Sequence, residues 1–220
     1  MAELIHGLDA ARVRERVTEV RERVAQAAGR AGRDPAEVEL LAAVKYVPLD
    51  ELGILAEAGI RTVGENRAQE LVAKATAYEG VFTWDFIGHL QSRKVKDVVP
   101  YVRYIHSVAS DSVLAQLARH GTPRTEVLIE VNVAGEASKS GVAPQELGAF
   151  IQRTPVRVAG LMTMPPATGR AEQNRRHFAA LRELAAAHDL KHLSMGTSQD
   201  YEVAVEEGAT IVRLGSILYR

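Results

Sequence analysis

Chains keep lysine in water, so the segment LLAAVKYVP raises a chemical question by placing Lys45 at the end of five apolar residues. Two readings stand on this stretch. Either a strand has reached the surface and the ammonium meets solvent, or Lys45 is a working amine available for a Schiff base with a carbonyl. Other residues able to do chemistry also follow short apolar runs. In chain order they are Gly64-Glu65-Asn66, Ile87-Gly88-His89, His106-Ser107, Asn132, Met162-Thr163, Ser194-Met195-Gly196-Thr197-Ser198 and Arg213-Leu214-Gly215-Ser216. The last two join glycine to hydroxyls, a combination that lets backbone N–H groups approach an anion closely.

Competing readings of these clusters have weight. SMGTSQD also reads as an ordinary helix start. His89 and His106 lack a second-ligand spacing such as His-Glu-x-x-His, which argues against a metal. GEASKSG lacks the Walker pattern. No Ser–His–Asp arrangement has supporting sequence context, and GxSxG is absent.

The elements that must carry these residues alternate. Residues 9 to 30 predict one long helix, with Asp9 as N-cap and Val13, Val17, Val20 and Val24 as its apolar stripe. Strands are predicted at 38–44, 61–65, 82–88, 104–108, 126–133, 156–163, 191–196 and 210–215, each but the last followed by a clear helix. Eight strand–helix units without a linker predict a parallel sheet closed into a single (β/α)8 TIM-type barrel with an extra N-terminal helix, spanning 1–220 as one domain. An open dinucleotide-binding sheet is disfavoured, because the first strand ends AAVKYVP with no Gly-rich turn. In such a barrel the chemistry sits at the C-terminal strand ends, and phosphate sites gather after strands seven and eight. An amine and a phosphate cup of Ser194, Gly196, Gly215 and Ser216 on one rim together imply pyridoxal 5′-phosphate.

Composition sets the outer bounds. The 220 residues carry 27 Lys plus Arg against 28 Asp plus Glu, a net charge of -1, which argues against coating nucleic acid or an anionic membrane. The absence of cysteine excludes disulfides, thiolate metal sites and a cysteine nucleophile. With neither a signal-peptide core nor a run of about 20 apolar residues, the expected location is the cytoplasm.

Several blocks in order and spacing, LLAAVKYVP, GENRAQE, WDFIGHLQSRKVK, IHSVAS, VLIEVNVAGEASKSGV, GLMTMPP and LSMGTSQDYEVAVEEGATIVRLGSILY, make the chain similar to the pyridoxal phosphate homeostasis proteins, single-domain relatives of the alanine racemase barrel. The resemblance runs from about residue 8 to 219. It implies that Lys45 holds the cofactor as an internal aldimine, that Arg213 faces its pyridine nitrogen, and that Asn66 belongs to the site with the phosphate cup. It also implies a role in vitamin B6 homeostasis, with apo forms of pyridoxal-phosphate enzymes as recipients. The chain departs from the family pattern at Val44, where Ser is common before the lysine, at Asp85, where WHFIG is typical, and at Ser216, where Thr is usual. An amino-acid racemase is the alternative. Racemisation needs an acid–base group on each face of the α-carbon, and the second-domain tyrosine that racemases use has no counterpart expected here, since the chain stops after its eighth strand. The expectation is therefore a cofactor carrier rather than an enzyme.

Overall fold

A computed structural model describes residues 4–136, 140–166 and 170–219. Helix α1 (Ala10–Arg30) begins where the Asp9 side chain accepts a hydrogen bond from Arg12 N, and it buries Val13, Val17, Val20 and Val24. The strands follow as β1 (Glu39–Ala43), β2 (Thr62–Glu65), β3 (Thr83–Phe86), β4 (Tyr104–Val108), β5 (Glu126–Glu130), β6 (Arg157–Met162), β7 (His192–Thr197) and β8 (Ile211–Leu214). The helices between them are α2 (Leu52–Glu57), α3 (Ala68–Ala77), α4 (Val95–Val98), α5 (Asp111–His120), α6 (Leu147–Arg153), α7 (Arg175–Ala187) and α8 (Tyr201–Glu206). A last short helix, α9 (Ser216–Tyr219), follows β8 where none was expected. The predicted helices at 49–59 and after Gln91 are shorter than expected, each opening with a 3₁₀ turn.

All strand pairs are parallel, and β8 pairs with β1, so the sheet closes as a barrel in chain order. This is the expected fold. The N-terminal helix packs on the flank of the barrel against α8 and α9. Arg30 Nε bonds Glu206 at 2.6 Å, and Arg33 caps the Val205 and Ala209 carbonyls at 2.7 and 3.1 Å.

Strand alternation separates two apolar regions. Side chains facing the helices, such as Ala42, Val44, Val63 and Phe86, join the large outer core. Leu41, Tyr104, Leu128, Ala159, Met162 and Ile211 fill the barrel interior, with Ile87 against them. Gly64 belongs to this inner face: a Cβ there would stand 2.5 Å from Leu41 Cδ2. The interior is therefore a packed floor, and it sets the depth at which a mouth can open above it.

Candidate functional site

The mouth is built at the ends of β1, β2, β7 and β8. On β1, Leu41 faces the interior and Ala42 and Val44 face the helices, so the alternation carries Lys45 to the interior side just past the strand end. Lys45 is exposed, with Nζ 4.8 Å from the centre of the Tyr46 ring. The chain holds this position firmly. The Val44 carbonyl accepts from the buried Lys74 Nζ at 2.9 Å, and Lys74 pairs with the buried Glu65 at 2.7 Å. The other Glu65 oxygen takes the amides of Asn66 and Arg67 at 2.7 and 3.3 Å. One buried ion pair thus locks the ends of β1 and β2 together. Of the two readings that the sequence left open for Lys45, the first describes its surroundings: the strand has reached the surface and the residue is exposed.

Asn66 lies next to this lock. Its Oδ1 is buried and has no hydrogen-bond partner among the described residues. Buried polar atoms are normally paired, so this one fits a ligand group.

The proposed cup divides in two. Ser194 is fully buried and points into the barrel, where its Oγ meets Arg213 Nη1 at 2.5 Å and His106 Nδ1 at 2.8 Å. Its hydroxyl oxygen accepts from Arg213, deeper in the barrel than the residues that follow β7 and β8. Gly196 is also buried, at φ 90°, and a Cβ there would stand 2.6 Å from the Ala204 Cβ. Its glycine serves the approach of α8 to β7. The rim itself carries Gly215, Ser216 and Ser198. Gly215 N donates to Ser198 Oγ at 3.2 Å, and Ser216, exposed, starts α9. Asp200 shapes the Ser198 turn by accepting from Thr197 N and Oγ1 at 2.7 and 3.0 Å, while Asn174 Nδ2 holds its other oxygen at 2.8 Å. Ser198 belongs to the same hydroxyl cluster as Ser194. What separates them is the positive-φ turn at Gly196, which breaks strand alternation and is not legible in the letters SMGTS.

Arg213 is buried between the mouth and the floor. Nη1 bonds the Ser194 carbonyl at 2.8 Å and Nη2 the Thr163 carbonyl at 3.0 Å. Burial pushes its pKa down to about 10, against the pull of Asp200 and Glu130, so it stays charged at neutral pH. Below it, His106 Nε2 meets Asp85 at 3.1 Å. An aligned Asp85–His106–Ser194 set therefore exists, which sequence context did not disclose. It is sealed from solvent and capped by Arg213, so its serine is no hydrolytic nucleophile. Among the described residues, no group of three or more His, Cys, Asp or Glu is placed to hold a metal ion. Residues 137–139 of the GEASKSG loop lie outside the described residues.

The chain belongs to the alanine racemase N-terminal domain class, whose family model matches residues 15–220. Within it, the chain belongs to the pyridoxal phosphate homeostasis protein family. It is 41% identical to the pyridoxal phosphate homeostasis protein of Aquifex aeolicus, covering 93% of this chain and 96% of that one. It is 39% identical to that of Pseudomonas aeruginosa, covering 94% of each. Among solved structures, PipY of Synechococcus elongatus with PLP bound superposes with a TM-score of 0.79 at 31% identity, covering 94% of this chain and all of that one. The alanine racemase of Corynebacterium glutamicum shares the fold, with a TM-score of 0.70 at 16% identity.

Proposed function

We propose that the protein holds pyridoxal 5′-phosphate at the barrel mouth through Lys45, releases it to apo forms of pyridoxal-phosphate enzymes, and so serves vitamin B6 homeostasis. The observation that carries this is the exposed Lys45 amine, on the interior side of β1, on the same rim as the Ser198–Gly215–Ser216 segment. Bound there, the cofactor supplies an aldehyde that condenses with an amine and loses water, a step that water reverses. Every other task falls to the chain. Lys45 offers the amine, with Lys74 and Glu65 fixing the strand end beneath it. Gly215, Ser216 and Ser198 offer backbone and hydroxyl donors to the phosphate. Gly215 leaves room there, since a Cβ on it would meet nothing closer than Ala43 at 3.8 Å. Asn66 Oδ1 is an acceptor awaiting a donor.

Arg213 faces the ring nitrogen in this reading. It only donates hydrogen bonds, so it favours an unprotonated nitrogen and a weak electron sink. That suits storage more than bond breaking at an amino acid's α-carbon. An exposed lysine also lets water or a competing amine reclaim the cofactor. In this reading the protein works in the cytoplasm as a single-domain barrel; no described helix is long and apolar enough to cross a membrane. The names of its relatives, and PLP bound in PipY, support the same cofactor.

The test mixes loaded protein with the apo form of an unrelated pyridoxal-phosphate enzyme and follows the return of that enzyme's activity. In parallel, each proteinogenic amino acid is incubated with loaded protein and its chirality is followed. Restored activity without racemisation is expected. Lys45-dependent racemisation of any amino acid would replace the carrier with a racemase.

A further inference from the structure

We propose that Asp85, His106 and Ser194 form a one-way hydrogen-bond relay inside the barrel that fixes the orientation and charge of Arg213, with Asp85 as its positioning residue. The inference rests on the reading that Arg213 faces the cofactor ring. The direction of each bond follows from what each group can do. A guanidinium only donates, so Ser194 Oγ accepts from Arg213 Nη1 at 2.5 Å. A carboxylate only accepts, so the His106 Nε2 facing Asp85 at 3.1 Å carries a proton. Burial, with Arg213 and Arg103 on either side, outweighs Asp85 and keeps His106 from taking a second proton. Its Nδ1 is then a lone pair, and the Ser194 hydroxyl donates to it at 2.8 Å. Every proton in the line points from the mouth toward Asp85.

The far end is saturated. Asp85 also accepts from Arg103 Nε and Nη2 at 3.1 and 2.7 Å and from Tyr104 N at 3.2 Å. Arg103 continues to Glu39, which accepts the Thr62 hydroxyl at 2.7 Å. The chain of bonds therefore crosses the interior from the start of β1 to the mouth. Asp85, His106 and Ser194 are each fully buried, and bonds in such a line polarise one another. Its effect on Arg213 is concrete. Nη1 is committed to the Ser194 hydroxyl and carbonyl, and Nη2 gives one proton to Thr163. Among the described residues, Nε–H has no acceptor and the second Nη2 proton has only the Met164 sulfur at 3.9 Å, so both can serve a ligand. Asp85 makes the anchor of the relay permanently anionic at neutral pH.

Two measurements test this. The first needs no substitution. Nitrogen-15 spectra of the full chain labelled at histidine should show His106 neutral at pH 7 with its proton on Nε2. A proton on Nδ1, or a doubly protonated ring, overturns the relay. The second titrates Ser194→Ala, Asp85→Asn and the double variant with pyridoxal 5′-phosphate, recording Kd and the wavelength of the bound absorption band. Each single change should weaken binding about tenfold, as expected for one charge-assisted hydrogen bond, and displace the band in the same direction. Once Ser194 is cut, Asp85→Asn should add nothing, because Asp85 acts through it. Additive losses in the double variant would mean that the two residues act separately, and the proposal fails. Arg213→Lys isolates the underlying reading: an unchanged Kd and band would remove Arg213 from the cofactor ring, while the histidine tautomer still reports on the relay alone.

Discussion

Lys45 owes its place to residues that never reach the mouth. Lys74 and Glu65 are both buried and pair at 2.7 Å while holding the Val44 carbonyl and the Asn66 and Arg67 amides. Breaking such a pair from one side leaves an unpaired buried charge. Lys74→Met should therefore lower unfolding free energy by about 3–5 kcal/mol in urea titration; a loss below 1 kcal/mol would show that the pair holds nothing. His106 gives a pH signature. Burial lowers its folded pKa, whereas the unfolded ring titrates near about 6.5. Below that value the unfolded chain binds a proton that the folded chain refuses, so stability falls as pH drops. For Asp85, burial raises the pKa but the hydrogen bonds from His106 and Arg103 and the charge of Arg103 outweigh it, so the folded carboxyl titrates low and its contribution is lost only at more acid pH. His177 and His192 are also lowered by burial, so the informative quantity is a difference. His106→Gln should flatten the stability-against-pH slope between about pH 4 and 6.5 relative to the parent. Identical slopes would mean that His106 is not the buried neutral group described.

At the level of elements, two glycines near the mouth do opposite jobs. Gly196 turns β7 toward α8 at φ 90°, where a Cβ would strike Ala204 at 2.6 Å. Gly215, after β8, has a Cβ direction that meets nothing within 3.8 Å. Gly196→Ala should therefore cost stability, on the order of 1–3 kcal/mol for the strained backbone alone. Gly215→Ala should leave the melting midpoint near that of the parent and weaken pyridoxal 5′-phosphate binding. Thermal melts paired with cofactor titrations separate the two; a Gly215→Ala protein that binds as tightly as the parent would move the phosphate elsewhere. The sequence made the elements legible, since period-two apolar runs such as YIHSV and VRVAGLM alternate with helix-period segments. It hid which member of SMGTS reaches the rim. That depends on a backbone turn at Gly196 and on Asp200 capping Thr197, neither of which changes the hydrophobic pattern.

Across the whole molecule, barrel closure, strand order and the position of Lys45 were readable because each follows from local alternation repeated eight times. The interior network was not. Asp85 and His106 stand 21 residues apart and His106 and Ser194 stand 88 apart, and only closure of the sheet faces them inward together. The same closure leaves one end packed by Leu41, Leu128 and Ile211 and the other bearing the exposed Lys45 and the glycine and hydroxyl residues that follow β7 and β8. The central claim is that this lysine carries the cofactor. Protein loaded with pyridoxal 5′-phosphate is reduced with borohydride, digested, and its peptides mapped by mass. The account predicts a pyridoxyl adduct on Lys45, lost in Lys45→Ala; an adduct found mainly on Lys94, Lys139 or any other lysine of the parent protein would contradict it.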